Sequence, residues 1–160
     1  MTVEQLSDNL EKPKAKWIAI AIAAALAVIA FWLTRPEPSV GSFSPVSGLM
    51  TLKATAQEAV PYEVAMTTPK PVLIEFYADW CTTCQAMAPA LQAIHHQMND
   101  QVNFVMVNID DPRWLEPVQQ FKVSGVPHLA LLNANHTVVD TFIGEVPKPV
   151  LIRRMTELLS

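Results

Sequence analysis

Two cysteines, Cys81 and Cys84, are the only thiols in 160 residues, and they stand three positions apart in the stretch EFYADWCTTCQAMAP. Such a pair can clip a metal, anchor a haem, form a structural bridge or work as a redox couple. A structural zinc site asks for four Cys or His ligands. The histidines here are His95, His96, His128 and His136, with no H-x₃₋₅-H spacing, so no metal site is expected. Covalent haem attachment needs a histidine directly after the second cysteine, and Gln85 occupies that place. Thiolates suit Cu(I), but nothing else in the chain supports copper carriage. A permanent staple closing so short a loop removes little chain entropy. A reversible disulfide is the reading left with positive support.

That support comes from the elements that must position the pair. PVLIEFYA is a short apolar run behind a proline and reads as a buried strand. CTTCQAMAPALQAIHHQM carries apolar residues at helical spacing, with Pro89 inside it as an expected kink. Cys81 therefore ends a strand-to-helix turn and opens the helix. There the helix dipole and free backbone N–H groups favour its thiolate, making it the attacking sulfur. Cys84 lies one turn further on the same side, placed to resolve a mixed disulfide.

Further along, VNFVMVNI reads as a strand, DPRWLEPVQQF as a short helix and VSGVP as a turn. HLALLN and TVVDTFI form a hairpin about NANH. PKPVLIRRMTELL is an amphipathic closing helix. Ahead of the first strand, LMTLKATAQEAV and PYEVAM are helical. The order is a helical lead, then β, α, β, α, β, β, α, which predicts an α/β fold with one central mixed sheet flanked by helices. From residue 72 onward five Lys/Arg face nine Asp/Glu. Without a basic stripe, nucleic acid is not an expected partner.

Residues 17–34, WIAIAIAAALAVIAFWLT, carry no charge. As a helix they span ~27 Å, near the ~30 Å hydrocarbon core. A buried core helix would show a polar face, and a cleaved signal peptide has a shorter apolar region followed by an A-x-A-like site. The sequence instead predicts a retained transmembrane helix at 17–34, between a cytoplasmic tail at 1–16 and a linker at 35–48, with a domain at 49–160. Lys12, Lys14 and Lys16 precede the span and Arg35 follows it, which puts the N-terminus in the cytoplasm and the domain across the membrane.

VLIEFYADWCTTCQAMAP and SGVPHLALL together resemble the thioredoxin family, over about residues 72–159. The first matches its strand, Trp-Cys-x-x-Cys and proline-kinked helix; the second matches its Gly-Val/Ile-Pro turn. The resemblance implies a thioredoxin fold and thiol–disulfide exchange, with Cys81 and Cys84 catalytic and no bound cofactor. It implies that Pro127 is a cis proline, and that Trp80, Val126, Pro127 and His128 line a groove for substrate. Asn108, Ile109, Asp110 and Gly144 match structural positions. Glu75 stands where the family commonly has a buried Asp, and a carboxyl there can move the proton of Cys84. Three departures stand out. Met106 replaces a frequent lysine, His128 replaces a common Thr, and Thr82-Thr83 replaces the usual Gly-Pro that tunes reduction potential.

A narrower resemblance, carried by the Ala-rich lead, VPYEVAM and the two motifs, is to membrane-anchored thioredoxin-like proteins of cyanobacteria and plastids. It implies a domain in the thylakoid lumen or periplasm and electrons from a transmembrane thiol carrier. It also implies client proteins that include cytochrome assembly factors. Two rival functions stay open: a disulfide donor that oxidises clients, and a non-catalytic module that holds them. Outside the motifs, His95 and His96 are expected as solvated helix residues, Asp79 as a surface residue and Trp114 as packing.

Overall fold

The computed structural model describes residues 12–33 and 45–160. The chain divides into two units, one carrying the first helix and the other everything from residue 43 onward.

The first unit contains α1 (Lys12–Leu33). It begins ahead of the apolar run, so Lys12, Lys14 and Lys16 belong to the helix itself; residues 1–11 of the expected tail lie outside the described residues. The side chains described along it, residues 17–31, are all apolar and all exposed. Among the described residues no helix is long and apolar enough to cross a membrane.

The second unit begins with α2 (Pro45–Glu58) and α3 (Tyr62–Ala65), then alternates. Its elements are β1 (Val72–Tyr77), α4 (Thr82–Met98), β2 (Asn103–Asn108), a 3₁₀ turn at Pro112–Trp114 running into α5 (Leu115–Gln120), β3 (His128–Leu132), β4 (Val138–Ile143) and α6 (Lys148–Leu159). The four strands form one sheet in the order β2-β1-β3-β4. β1 is parallel to β2 and antiparallel to β3, which is antiparallel to β4. The sheet is mixed, as the order of elements predicts.

β1 is buried on both faces along its whole length, which is why its sequence is a continuous apolar run rather than an alternation. Leu73 faces α4 and α6, packing with Leu91, Ile94, Leu151 and Met155. Ile74 and Phe76 face the other layer, with Val105, Val107, Ala130 and Leu132 and the flanking Val118 and Phe121. Each large side chain buried this way contributes ~1.5–3 kcal/mol. The edge strand β4 is mostly exposed.

α2 starts earlier than its sequence pattern suggests. Residues 45–48, expected as the end of the linker, are its first turn; residues 35–44 lie outside the described residues. Pro45 is compatible with a helix start. Gly48 lets the helix lie directly on α4: a Cβ there would come within 2.8 Å of the Gln85 carbonyl oxygen. His95 is a second difference. It is buried and stacked on Phe104 at 4.9 Å between ring centroids, because position 95 shares a helix face with Leu91 and Met98. His96 is exposed and bonds Glu58 at 2.9 Å. α4 runs through Pro89 without a break.

Candidate active site

The site is built where β1 ends and α4 begins. Cys81 is the N-cap of α4: its backbone is extended and its Sγ accepts the N–H of Cys84 at 3.0 Å. A sulfur in this place satisfies one of the donors that every helix start leaves free, and the same donor stabilises a thiolate there. Cys81 and Cys84 are joined as a disulfide with their Cα atoms 5.3 Å apart. Cys84 is fully buried and Cys81 nearly so. Thr82 is exposed and Thr83 half-buried between them.

Segments distant in sequence, with the neighbouring Trp80, close around the pair. The Val126–Pro127 peptide bond is cis, and Val126 packs into the cluster that holds both cysteines. Pro127 is buried, and its carbonyl accepts the N–H of Gly144 at 2.8 Å. Gly144 has φ +85°, a conformation that costs a glycine little. Trp80 stands out into solvent at 64% exposure, held by its indole N–H donating to Asp110 Oδ2 at 2.9 Å. Leu52 of α2, with no exposed surface, packs against Tyr77, Ala78 and the two cysteines.

Glu75 lies on the face of β1 shared with Leu73 and Tyr77, the layer that holds Cys84. Its register neighbours are Met106 and Leu129, so no opposite charge flanks it. It is 3% exposed and its Oε1 has no hydrogen-bond partner. Burial pushes its pKa from the ordinary 4.5 to about 8, because a charge without solvent or partner is costly. At neutral pH this carboxyl keeps its proton.

His128 goes elsewhere. Its ring packs edge-on to Phe76 at 5.5 Å, in the opposite layer from Glu75. It is 2% exposed with neither ring nitrogen partnered, and burial holds its pKa below the ordinary histidine value. Its ring offers almost no surface to a docked client.

Sequence reasoning alone did not bring Leu52, Thr55 or Asp110 to the site. Gly48, Leu52 and Thr55 recur at helical spacing on α2, a small-and-apolar stripe that marked a buried face without showing what covers it. Asp79, expected at the surface, is paired with Lys53 of α2 at 3.0 Å, and its carbonyl accepts from the Gln85 side chain at 2.7 Å. Trp114 packs edge-on to Tyr62 at 5.8 Å. Among the described residues no cluster of His, Cys, Asp and Glu could hold a metal ion.

A strand-end disulfide that caps a helix, faced by a cis-proline turn on a four-stranded mixed sheet, defines a thiol–disulfide exchange centre on a thioredoxin fold. Residues 51–157 match the thioredoxin family model, and the chain belongs to that family. It is a thiol–disulfide oxidoreductase. Over 154 residues it is 36% identical to the thiol:disulfide interchange protein TxlA of Synechococcus elongatus, covering 96% of this chain and 76% of that one. It is 40% identical over 137 residues to a TxlA homolog of Synechocystis, covering 86% and 75%. It is 38% identical over 111 residues to the chloroplastic thioredoxin-like protein HCF164 of Arabidopsis thaliana, covering 69% of this chain and 42% of that protein. In fold it is similar to a chain from a structural study of thiol resolution in a yeast mitochondrial 1-Cys peroxiredoxin. The TM-score there is 0.53 at 18% identity, covering 64% of this chain and 97% of that one.

Proposed function

We propose that the protein is a membrane-tethered reductant of client disulfides, working on the non-cytoplasmic side. The observation that carries the exchange step is Cys81 Sγ at the head of α4, accepting the Cys84 N–H, with Cys84 buried directly behind it. In the reduced protein the Cys81 thiolate attacks a client disulfide, forming a Cys81–client bond and releasing one client thiolate, which takes up a proton. Glu75, once ionised, accepts the proton of Cys84. The Cys84 sulfur then attacks Cys81, closes the internal disulfide and releases the second client thiolate. Two electrons leave the protein with each cycle and are restored by a thiol donor; no bound cofactor is needed. Trp80, Val126 and Pro127 border the groove where a client would lie. Thr82 and Thr83 set the potential of the pair.

Tethering is supported by the uncharged run at 17–34 and by the exposed apolar side chains along α1. By the family resemblance, the donor is a transmembrane thiol carrier, the compartment is the thylakoid lumen or periplasm, and the clients include cytochrome assembly factors.

The test of the chemistry is insulin reduction by dithiothreitol-primed protein. Cys81→Ser abolishes turnover, and Cys84→Ser accumulates a mixed disulfide at Cys81; turnover that survives Cys81→Ser defeats the mechanism. A titration of the Cys81–Cys84 couple sets direction, and a potential near about −120 mV, typical of a strong oxidant, defeats the reductase reading. In sealed vesicles whose cytoplasmic face is outward, added protease leaves the domain intact; its digestion defeats the topology.

A further inference from the structure

Glu75 must lose its proton before it can take one from Cys84, yet its surroundings do not stabilise a carboxylate. Its upward pKa shift comes from burial, with no charged partner contributing. The titratable and charged groups on the elements packed around it offer little help. Tyr77, on the same strand, has its own pKa raised in part by Glu75. On α2, Lys53 is drawn off to Asp79 and Glu58 to His96. On α4 the cysteines are paired, and His95 is stacked on Phe104 with its pKa lowered by burial. β2 presents Met106 in register.

One other side chain bordering the same gap as Glu75 can donate a hydrogen bond. Thr55 of α2 is 2% exposed and shares with Glu75 a gap of ≈ 10 Å³, otherwise bordered by Leu73, Leu91, Phe104, Val105 and Met106. Among those side chains Thr55 is the only donor besides the neutral carboxyl itself. Its Oγ–H now donates to the Thr51 carbonyl at 2.9 Å. That bond is a weak intrahelical one, readily given up, because a threonine hydroxyl turns freely and threonine holds two side-chain rotamers in a helix. The gap is also at the size limit for a single water, about 10–15 Å³.

We propose that Thr55 is the positioning residue for Glu75: when the carboxyl ionises, the Thr55 hydroxyl turns from Thr51 and donates to it across the gap, directly or through one water. The helix that follows the linker thereby sets how readily the site's base forms. α2 is fixed for this task by Gly48 on Gln85 and by the Lys53–Asp79 pair. This inference rests on the reading of Glu75 as proton carrier, so its test needs a readout of the carboxyl itself.

That readout is the infrared C=O band of the Glu75 carboxyl in the reduced full-length chain, isolated by subtracting Glu75→Gln and followed against pH. Thr55→Val keeps the side chain's shape and removes the donor; Thr55→Ser keeps the donor. The Thr55→Val midpoint should move up by about one pH unit, a tenfold change in equilibrium, with Thr55→Ser close to the wild type. The rate at which Cys84 resolves a preformed mixed disulfide should shift its pH profile by the same amount. An unmoved band in Thr55→Val overturns the proposal, as does a Thr55→Ser band displaced as far as that of Thr55→Val, which would mark a packing effect. If Glu75→Gln leaves the resolution profile unchanged, the proton-carrier reading falls, while the band midpoints still judge Thr55 on their own.

Discussion

Glu75→Gln should remove a pH dependence of stability that the wild type shows above neutrality. In the folded protein the carboxyl holds its proton up to about 8, against an ordinary 4.5. Between those values the folded state binds one more proton than the unfolded state, so stability falls as pH rises, by ~1.4 kcal/mol per unit. The penalty is absent below the unfolded value and complete above the folded one, where it totals about 5 kcal/mol, comparable to the whole stability of a marginal domain. Glutamine keeps the shape and does not titrate. Its buried amide imposes a constant offset, which drops out of the slope. Urea unfolding of the oxidised chain in micelles, followed by tryptophan fluorescence from pH 6.5 to 8.5, should show the wild type losing about 2 kcal/mol relative to Glu75→Gln. His95 and His128 titrate on the acid side of this window and are common to both proteins, so the difference curve isolates Glu75. A flat difference curve, within about 0.5 kcal/mol, would mean that Glu75 is already ionised in the fold, and the argument from its burial would fail.

Gly48→Ala, though it improves helix propensity, brings a methyl against the backbone oxygen of Gln85; overpacking of this kind costs about 1–3 kcal/mol, and thermal unfolding should drop by at least a few degrees. An unchanged or raised midpoint would show that α2 can stand away from α4 at no cost. His128 is buried without partners and its folded pKa lies below the ordinary 6.5, so its contribution to stability is present above pH 6.5 and is lost as pH falls toward the folded value. His128→Phe should flatten that acid loss, by up to about 1.4 kcal/mol per pH unit, leaving the share due to His95; equal acid slopes in the two proteins would contradict it.

Local chemistry was legible wherever a short stretch carries its own instructions. The run VLIEFY reads as a doubly buried strand, and β1 is one. The spacing of Cys81 and Cys84 at a strand-to-helix turn is enough to place a thiolate at a helix N-terminus. Gly144 and the Asn133–Thr137 turn follow from residues that tolerate such turns, and Asn133 Oδ1 accepts the N–H groups of Asn135 and Thr137, each at 3.0 Å.

What surrounds those stretches was decided by contacts between residues far apart in the chain. A stripe of Gly48, Leu52 and Thr55 says that α2 has a buried face, but only the packed fold puts Leu52 on the cysteines and Thr55 beside Glu75. Asp110 holds Trp80 from thirty residues away. His95 looks like a solvated helix residue until Phe104 covers it. His128 follows the cis proline in sequence, yet strand alternation turns its ring into the opposite layer. The residue types of the redox pair come from the sequence by itself, because a thiolate at a helix start depends on its own few neighbours. The proton affinity of Glu75 does not, because it is a property of the volume that α2, β2 and α4 close around it, and that volume exists only once the sheet and helices have packed.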